Sequence, residues 1–139
     1  MDKLYKMQII EINCPAVAGI VKFPDQPNLR NAVIQNINVY TAGVITTTPI
    51  SGGTPMSTAN LKDCFVTLQE GGVQVIQNKP ILSLNYMIAT TDPYTNNPAV
   101  LFPRVFSWDK CFLTFRAAPT ASIVSLEIWY NDSGVNQNV

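Results

Sequence analysis

The stretch that decides the fold class is Val124-Ser125-Leu126-Glu127-Ile128-Trp129-Tyr130. Apolar and other side chains alternate along it, with Val124, Leu126, Ile128 and Tyr130 on one face and Ser125, Glu127 and Trp129 on the opposite face. Because successive side chains of a β-strand point to opposite faces, this period of two predicts a strand with one face in the core. Half-buried strands of this kind are typical of antiparallel sheets, whereas parallel strands are apolar on both faces.

The same alternation recurs along the chain between clusters of proline and glycine. It predicts further strands at residues 7–14, 17–23, 33–40 (with Ile37 and Val39 facing inward), 65–69, 73–77, 82–88, 100–107 and 111–116. Glu70-Gly71-Gly72 predicts a hairpin connection, and residues 57–63 predict one helical turn capped by Ser57. We therefore expect an all-β fold, an antiparallel two-sheet sandwich of seven or eight strands with at most one short helix. The long crossing loops favour a jelly-roll-like arrangement.

The charge composition excludes partners that are bound by bulk electrostatics. The chain has 139 residues, with nine Lys plus Arg against nine Asp plus Glu and a formal net charge of +0. A nucleic acid or an anionic membrane surface needs a cationic excess, so we expect neither as a partner. No segment approaches the roughly 18 apolar residues of a membrane span. Charged residues make up only 13% of the chain, so much of its surface must be neutral or covered by partners.

Catalytic and metal-binding motifs are missing from the sequence. The chain contains no histidine, which removes the commonest general base and the commonest metal ligand. Cys14, Cys64 and Cys111 are widely spaced and lie beside apolar residues, and we interpret them as buried free thiols of a protein made in a reducing compartment. We expect no enzyme, no catalytic or metal-ligating residue and no cofactor. The scattered carboxylates are interpreted as solvated surface groups, with a carboxylate-pair hydrolase as a remote alternative.

Tryptophan and arginine side chains are the candidates for a functional surface. Trp129 shares the polar face of its strand and must be covered, and an oligomer interface is the natural cover because aromatic residues and arginine are enriched there. The three arginines of the chain are the other candidates for this interface: Arg30, Arg104 and Arg116. An alternative function is a carbohydrate- or receptor-binding module in which Trp108 and Tyr94 stack on sugar rings. The competing interpretation of Trp108 is a core residue at a strand corner.

Four parts of the chain carry a resemblance to known proteins: Arg30-Asn31-Ala32-Val33-Ile34 leading into Val39-Tyr40-Thr41-Ala42, then Leu61-Lys62-Asp63-Cys64-Phe65-Val66-Thr67-Leu68, Pro80-Ile81-Leu82-Ser83-Leu84-Asn85 and Trp108-Asp109-Lys110-Cys111-Phe112-Leu113. Over most of residues 30–130 the chain resembles small β-rich virion proteins of phages that infect gut Bacteroidetes, including crAss-like phages. The resemblance implies a capsid-associated role as an auxiliary, decoration, penton-like or head-fibre protein. It also implies assembly as a homo-oligomer, and it transfers no catalytic residue.

These observations lead us to expect a non-enzymatic virion structural protein. It would be made in the host cytoplasm, self-associate as a trimer, and dock on the major capsid protein or on other virion proteins. Residues 1–29 would form an N-terminal arm with the first strands and contact a neighbouring subunit. Residues 30–131 would form the sandwich domain, and residues 132–139 a polar tail.

Overall fold

The strands and helices lie in three described parts of the chain. The computed structural model describes residues 6–40, 49–84 and 105–131. Its strands are β1 (Lys6–Cys14), β2 (Gly19–Lys22), β3 (Val33–Val39), β4 (Cys64–Glu70), β5 (Val73–Pro80), β6 (Phe112–Phe115) and β7 (Ser122–Asn131). One short helix, α1 (Thr58–Leu61), and three 3₁₀ turns at Pro27–Leu29, Ile81–Leu84 and Trp108–Lys110 complete the described elements.

Two antiparallel sheets are formed by these strands. The three-stranded sheet has the order β1-β7-β3, and the four-stranded sheet has the order β2-β6-β4-β5. The chain therefore folds as nested pairs, β1 with β7, β2 with β6 and β4 with β5, while the successive strands β1 to β4 alternate between the two sheets. Nested pairs built from strands that alternate between two sheets are the jelly-roll arrangement. The all-β, jelly-roll-like sandwich expected from the sequence is confirmed.

The core lies between the facing sides of the two sheets. Strand β7 is flanked by β1 on one side and β3 on the other, in registers that place Leu126 beside Ile10 and Val39. A register shift between Ile34 and Asn36 lets both Ile34 and Ile37 face inward, because the extra residue reverses the alternation locally. The four-stranded sheet contributes a matching apolar side from its central strands: Cys64, Val66, Leu68, Leu113 and Phe115, all buried.

The N-terminal strands are integral to this core. Strand β1 pairs with β7 along its whole length, and Ile10, Ile12 and Cys14 are buried beneath it. Strand β2 pairs with β6 in the opposite sheet. The expected division into an arm at residues 1–29 and a sandwich at 30–131 therefore does not describe β1 and β2, which belong to the sandwich. The expected polar tail at residues 132–139 lies outside the described residues.

Local sequence signals explain the hairpin and the helix. Gly71 and Gly72 connect β4 to β5, and Gly71 has a φ of +63°, a backbone conformation that glycine adopts without strain. At α1 the hydroxyl oxygen of Ser57 accepts a hydrogen bond from the N–H of Asn60 at 3.2 Å, and Leu61 is buried. Both features confirm the prediction from the sequence.

Two predicted strands are wrong where the structure describes them. Residues 81–84 form a 3₁₀ turn rather than the start of a strand at 82–88, and Ile81 and Leu84 are its buried residues. A turn with three residues per revolution brings these two side chains to the same side, so the apolar spacing fits it as well as a strand. Residues 105–107, predicted as the end of a strand at 100–107, instead lie across the hairpin, where Ser107 donates its N–H to the Gln69 carbonyl at 2.8 Å.

Leu113 tests the packing between the sheets. Its side chain is fully buried at the centre of the four-stranded sheet, so Leu113→Ala should lower the free energy of unfolding by about 2–5 kcal/mol. The matched control is Val73→Ala, because Val73 is 66% exposed and its truncation should change the free energy of unfolding by less than about 0.5 kcal/mol. Urea denaturation measures both values. Equal effects of the two substitutions would contradict this arrangement of the core.

Candidate functional site

The outward side of the three-stranded sheet carries polar side chains that are buried. The strand registers place Glu127 between Ile9 of β1 and Asn38 of β3, and place Trp129 beside Asn36. Directly opposed residues of an antiparallel pair share a face, so all of these lie on the side away from the core. Asn38 and Glu127 are nevertheless only 0% and 8% exposed. The centre of this side is therefore a packed polar layer, whereas Met7, beside Trp129, is 46% exposed.

Glu127 lies at the centre of this layer and accepts hydrogen bonds from two aromatic side chains. The indole Nε1–H of Trp129 donates to Oε1 of Glu127 at 2.8 Å, and the hydroxyl of Tyr40 donates to Oε2. Burial and the neighbouring carboxylate together raise the pKa of Tyr40 above its ordinary value, so the phenol stays protonated and remains a donor. The interpretation of the carboxylates as solvated surface groups is therefore wrong for Glu127.

The segment after residue 48 is tied to the same side of the sheet by Glu11. Glu11 lies opposite Ser125, and its carboxylate accepts the N–H groups of Ile50 at 2.6 Å and Ser51 at 3.1 Å. Partial burial raises the pKa of Glu11, but hydrogen bonds from the Ser51 side chain and from these two N–H groups together lower it by more, so that the net shift is downward. Residues 54–56 then run beside the start of β7, where Met56 donates its N–H to the Ile123 carbonyl at 2.9 Å.

Trp129 was predicted to need a cover, and the chain itself supplies part of one. The side chain is half-buried, its indole nitrogen is hydrogen-bonded to Glu127, and the neighbouring Asn36 is 2% exposed. The assignment of Trp129 to an oligomer interface stays a prediction.

The arginines expected at the interface lie at different places. Arg116 is exposed beside the four-stranded sheet, where Nη2 lies 2.6 Å from Oδ1 of Asp63 and the guanidinium lies over the ring of Phe65 at 5.9 Å from its centroid. Arg30 lies on the connection between β2 and β3 and forms an exposed ion pair with Asp25 at 3.3 Å. Arg104 lies outside the described residues. The structure therefore does not bring Arg30 and Arg116 together with Trp129 into one site.

Trp108 occupies a core position. It is 3% exposed, its ring stacks on Phe23 at a centroid distance of 5.7 Å with an interplanar angle of 27°, and Phe106 approaches it edge-on at 5.7 Å. A ring packed in this way has no open face for a sugar, which favours the interpretation of Trp108 as a core residue. Tyr94, the other candidate for stacking, lies outside the described residues.

A cleft lies at one end of the sandwich, between the β2–β3 connection and the segment that precedes β6. Its volume is about 530 Å³, and its lining includes Asp25, Arg30, Ser107 and Asp109. Two carboxylates in one cleft are the groups that glycosidases use. However, the Asp25 side chain is 62% exposed and forms an ion pair with Arg30, so it is a surface carboxylate rather than an enclosed one.

The three cysteines are buried, as predicted. Burial raises the pKa of Cys14 to about 11, of Cys64 to about 12 and of Cys111 to about 11. Because the thiolate is the nucleophile and the metal ligand, thiols with such pKa values are inert near neutral pH. Within residues 6–40, 49–84 and 105–131 no cluster of three His, Cys, Asp or Glu side chains is placed to hold a metal ion.

Comparison with known proteins adds no relative. No family model, no curated protein and no solved structure matches the chain. Among the described helices, none has the length and apolar character needed to cross a membrane.

Substitutions of Glu127 and Tyr40 test the hydrogen bond at the centre of the polar layer. Tyr40→Phe removes one donor from a buried carboxylate and should lower the free energy of unfolding by about 1–3 kcal/mol. In a Glu127→Gln background the acceptor is neutral, so the same substitution should cost about 1 kcal/mol less, because charge-assisted hydrogen bonds are the stronger ones. Urea denaturation of the four proteins of this double-mutant cycle gives the coupling energy, and additive effects would contradict the contact.

The raised pKa values of the three cysteine thiols make the free energy of unfolding depend on pH. Their pKa values lie above the unfolded value of about 9, so the native state holds its thiol protons more tightly and the associated stability is complete below pH 9. We expect the free energy of unfolding to fall as the pH rises from about 9 to about 12.

The reactivity of the thiols provides the direct measurement. At pH 8 the native protein should react with Ellman's reagent far more slowly than the protein in urea, in which all three thiols are exposed. Rapid reaction of even one thiol in the native protein would contradict the burial of that cysteine. In the Cys64→Ala variant, the loss of stability between pH 9 and pH 12 should be smaller.

Proposed function

We propose that the chain is a non-enzymatic structural protein of a virion that acts by self-association and by docking on a capsid lattice. The observation that carries the proposal is the order of the strands, β1-β7-β3 and β2-β6-β4-β5, which is a jelly-roll arrangement. Jelly rolls are the common building blocks of viral shells, although lectins also use them. A fold alone does not specify a function, so the surface must support the same proposal.

The charge distribution supports assembly through contact area. With a formal net charge of +0, two copies have no long-range repulsion to overcome. Association of such a chain depends on buried apolar area and short-range pairing rather than on electrostatic attraction over a distance.

The described residues also support a role without catalysis. The cysteine thiols stay protonated near neutral pH, and the Asp25 carboxylate in the end cleft is exposed and paired with Arg30. The carboxylate of Glu127 is enclosed by the hydroxyl of Tyr40 and the indole of Trp129 rather than facing a cleft. The contacts of these groups therefore lie within the fold, which supports a structural role for them.

Self-association is the first test of the proposal. Light scattering on the purified protein at micromolar concentration should give a mass of three times the 15.3 kDa chain. The second test uses purified virions of the phage that encodes the chain, in which mass spectrometry should find its peptides at many copies per particle. A mass of one chain together with absence from the virions would contradict the proposal.

A further inference from the structure

The outward side of the four-stranded sheet carries apolar side chains beside two exposed cationic ones, Lys22 and Arg116. Strand registers align Ile20 of β2, Thr114 of β6, Phe65 of β4 and Pro80 of β5 in one row across all four strands. The next row holds Lys22 beside Phe112, and Arg116 lies over Phe65 at the end of the face. We call this surface the β2–β6–β4 face; it consists of Ile20, Lys22, Asp63, Phe65, Phe112, Thr114 and Arg116.

The apolar residues that face outward on the β2–β6–β4 face are unusual, because the outward side of an antiparallel sandwich normally carries polar residues. Ile20 is 63% exposed although it lies in the middle of a strand, and Phe65 and Phe112 are only half-buried. The outward side of the three-stranded sheet is filled at its centre by Glu127 and Asn38, although Met7 beside Trp129 is 46% exposed. Ile20 is therefore the more exposed of the two apolar strand residues, and it lies in one row with the half-buried ring of Phe65.

Arg116 is held in a fixed position at the end of the face. Its Nε and Nη2 atoms both donate to Oδ1 of Asp63, at 3.1 and 2.6 Å, while the guanidinium covers the Phe65 ring. An ordered arginine beside aromatic rings is typical of the energetic centre of protein interfaces. Both hydrogen bonds go to the same carboxylate oxygen, and no described residue donates to Oδ2 of Asp63.

The face carries a positive charge, Lys22, at one side and a negative charge, Asp63, at the other. Lys22 lies on the β2 side, whereas Asp63 lies on the β4 side and at the opposite end. Strand spacing and rise place the two positions roughly 16 Å apart, so they are too distant to pair within one chain. Among the described residues Lys22 forms no ion pair. A second copy, however, brings a Lys22 to an Asp63 when its β2 side meets the β4 side of the first.

We propose that the β2–β6–β4 face is the self-association surface, with the β2 side of one copy packed against the β4 side of the next. The proposal rests on the self-association in the proposed function and identifies the surface that performs it. Ile20 of one copy packs against the exposed parts of Phe65 and Phe112 of its neighbour, and Lys22 pairs with the open Oδ2 of Asp63. Because the two sides of the contact differ, the contact is heterologous, and a rotation of one third of a turn between copies gives the closed ring of the expected trimer.

The experiment compares two apolar residues of equal exposure. Ile20→Asp should weaken self-association by about 30-fold or more, as expected for a residue at the centre of an interface. Val73→Asp is the matched control, because Val73 is 66% exposed but lies at the β4–β5 turn, and this variant should keep the wild-type mass. Light scattering over a concentration series measures both variants, and circular dichroism checks that both keep the wild-type spectrum.

Charge reversal provides a second arm that does not alter apolar packing. Lys22→Glu places two carboxylates opposite each other and should weaken self-association, whereas Lys22→Arg keeps the positive charge and should retain the wild-type mass. Wild-type association of Lys22→Glu, with both proteins folded, would contradict the pairing of Lys22 with Asp63.

The outcomes separate this inference from the proposed function. If Ile20→Asp keeps the wild-type mass while the wild type is an oligomer, the face is not the interface and self-association occurs elsewhere. If the wild type has the mass of one chain, both the inference and the self-association fail, and the face would have to bind a different protein. Loss of assembly in Ile20→Asp alone supports the inference.

Discussion

Strand β7 supplies the backbone hydrogen bonds of two neighbours, and the rest of the fold depends on this pairing. It holds β1 along the whole of that strand and β3 on its other side, so the first and last strands lie side by side. The intervening strands are divided between the two sheets, and they form the further nested pairs β2 with β6 and β4 with β5. Since the chain must return to its own beginning, the fold is dominated by contacts distant in sequence.

The same pairing produces two outward sides with different chemistry. On the three-stranded sheet, Glu127 faces Asn38 across the register and accepts hydrogen bonds from Tyr40 and Trp129, so a carboxylate is buried with donors in place. Burial of a charge without such donors would be strongly unfavourable. On the four-stranded sheet, Ile20, Phe65 and Phe112 face outward. The two outward sides therefore differ in chemistry, since one has a hydrogen-bonded polar centre and the other is the surface proposed for association.

How much of this was predictable differs from residue to residue. The alternation in residues 124–130 and the pair Gly71-Gly72 predicted a strand and a turn, because a period of two and a positive φ are local properties. Leu82 and Leu84 were placed in a strand because short apolar spacings fit a strand and a 3₁₀ turn equally well. Glu127 was misjudged because its partner Tyr40 lies 87 residues away in the sequence. An exposed and a buried carboxylate look the same when their neighbours across the sheet are unknown.

By itself, the sequence determined the all-β class, the positions of most strands, the inward residues such as Ile37 and Val39, and the burial of the three cysteines. These properties follow from the hydrophobic alternation, which each strand carries along its own length. Only the tertiary structure decided the strand order, the enclosure of Glu127, the core position of Trp108 and the row from Ile20 to Pro80. Each of these depends on which strands lie side by side and in which register, and a register joins residues that the linear sequence keeps far apart.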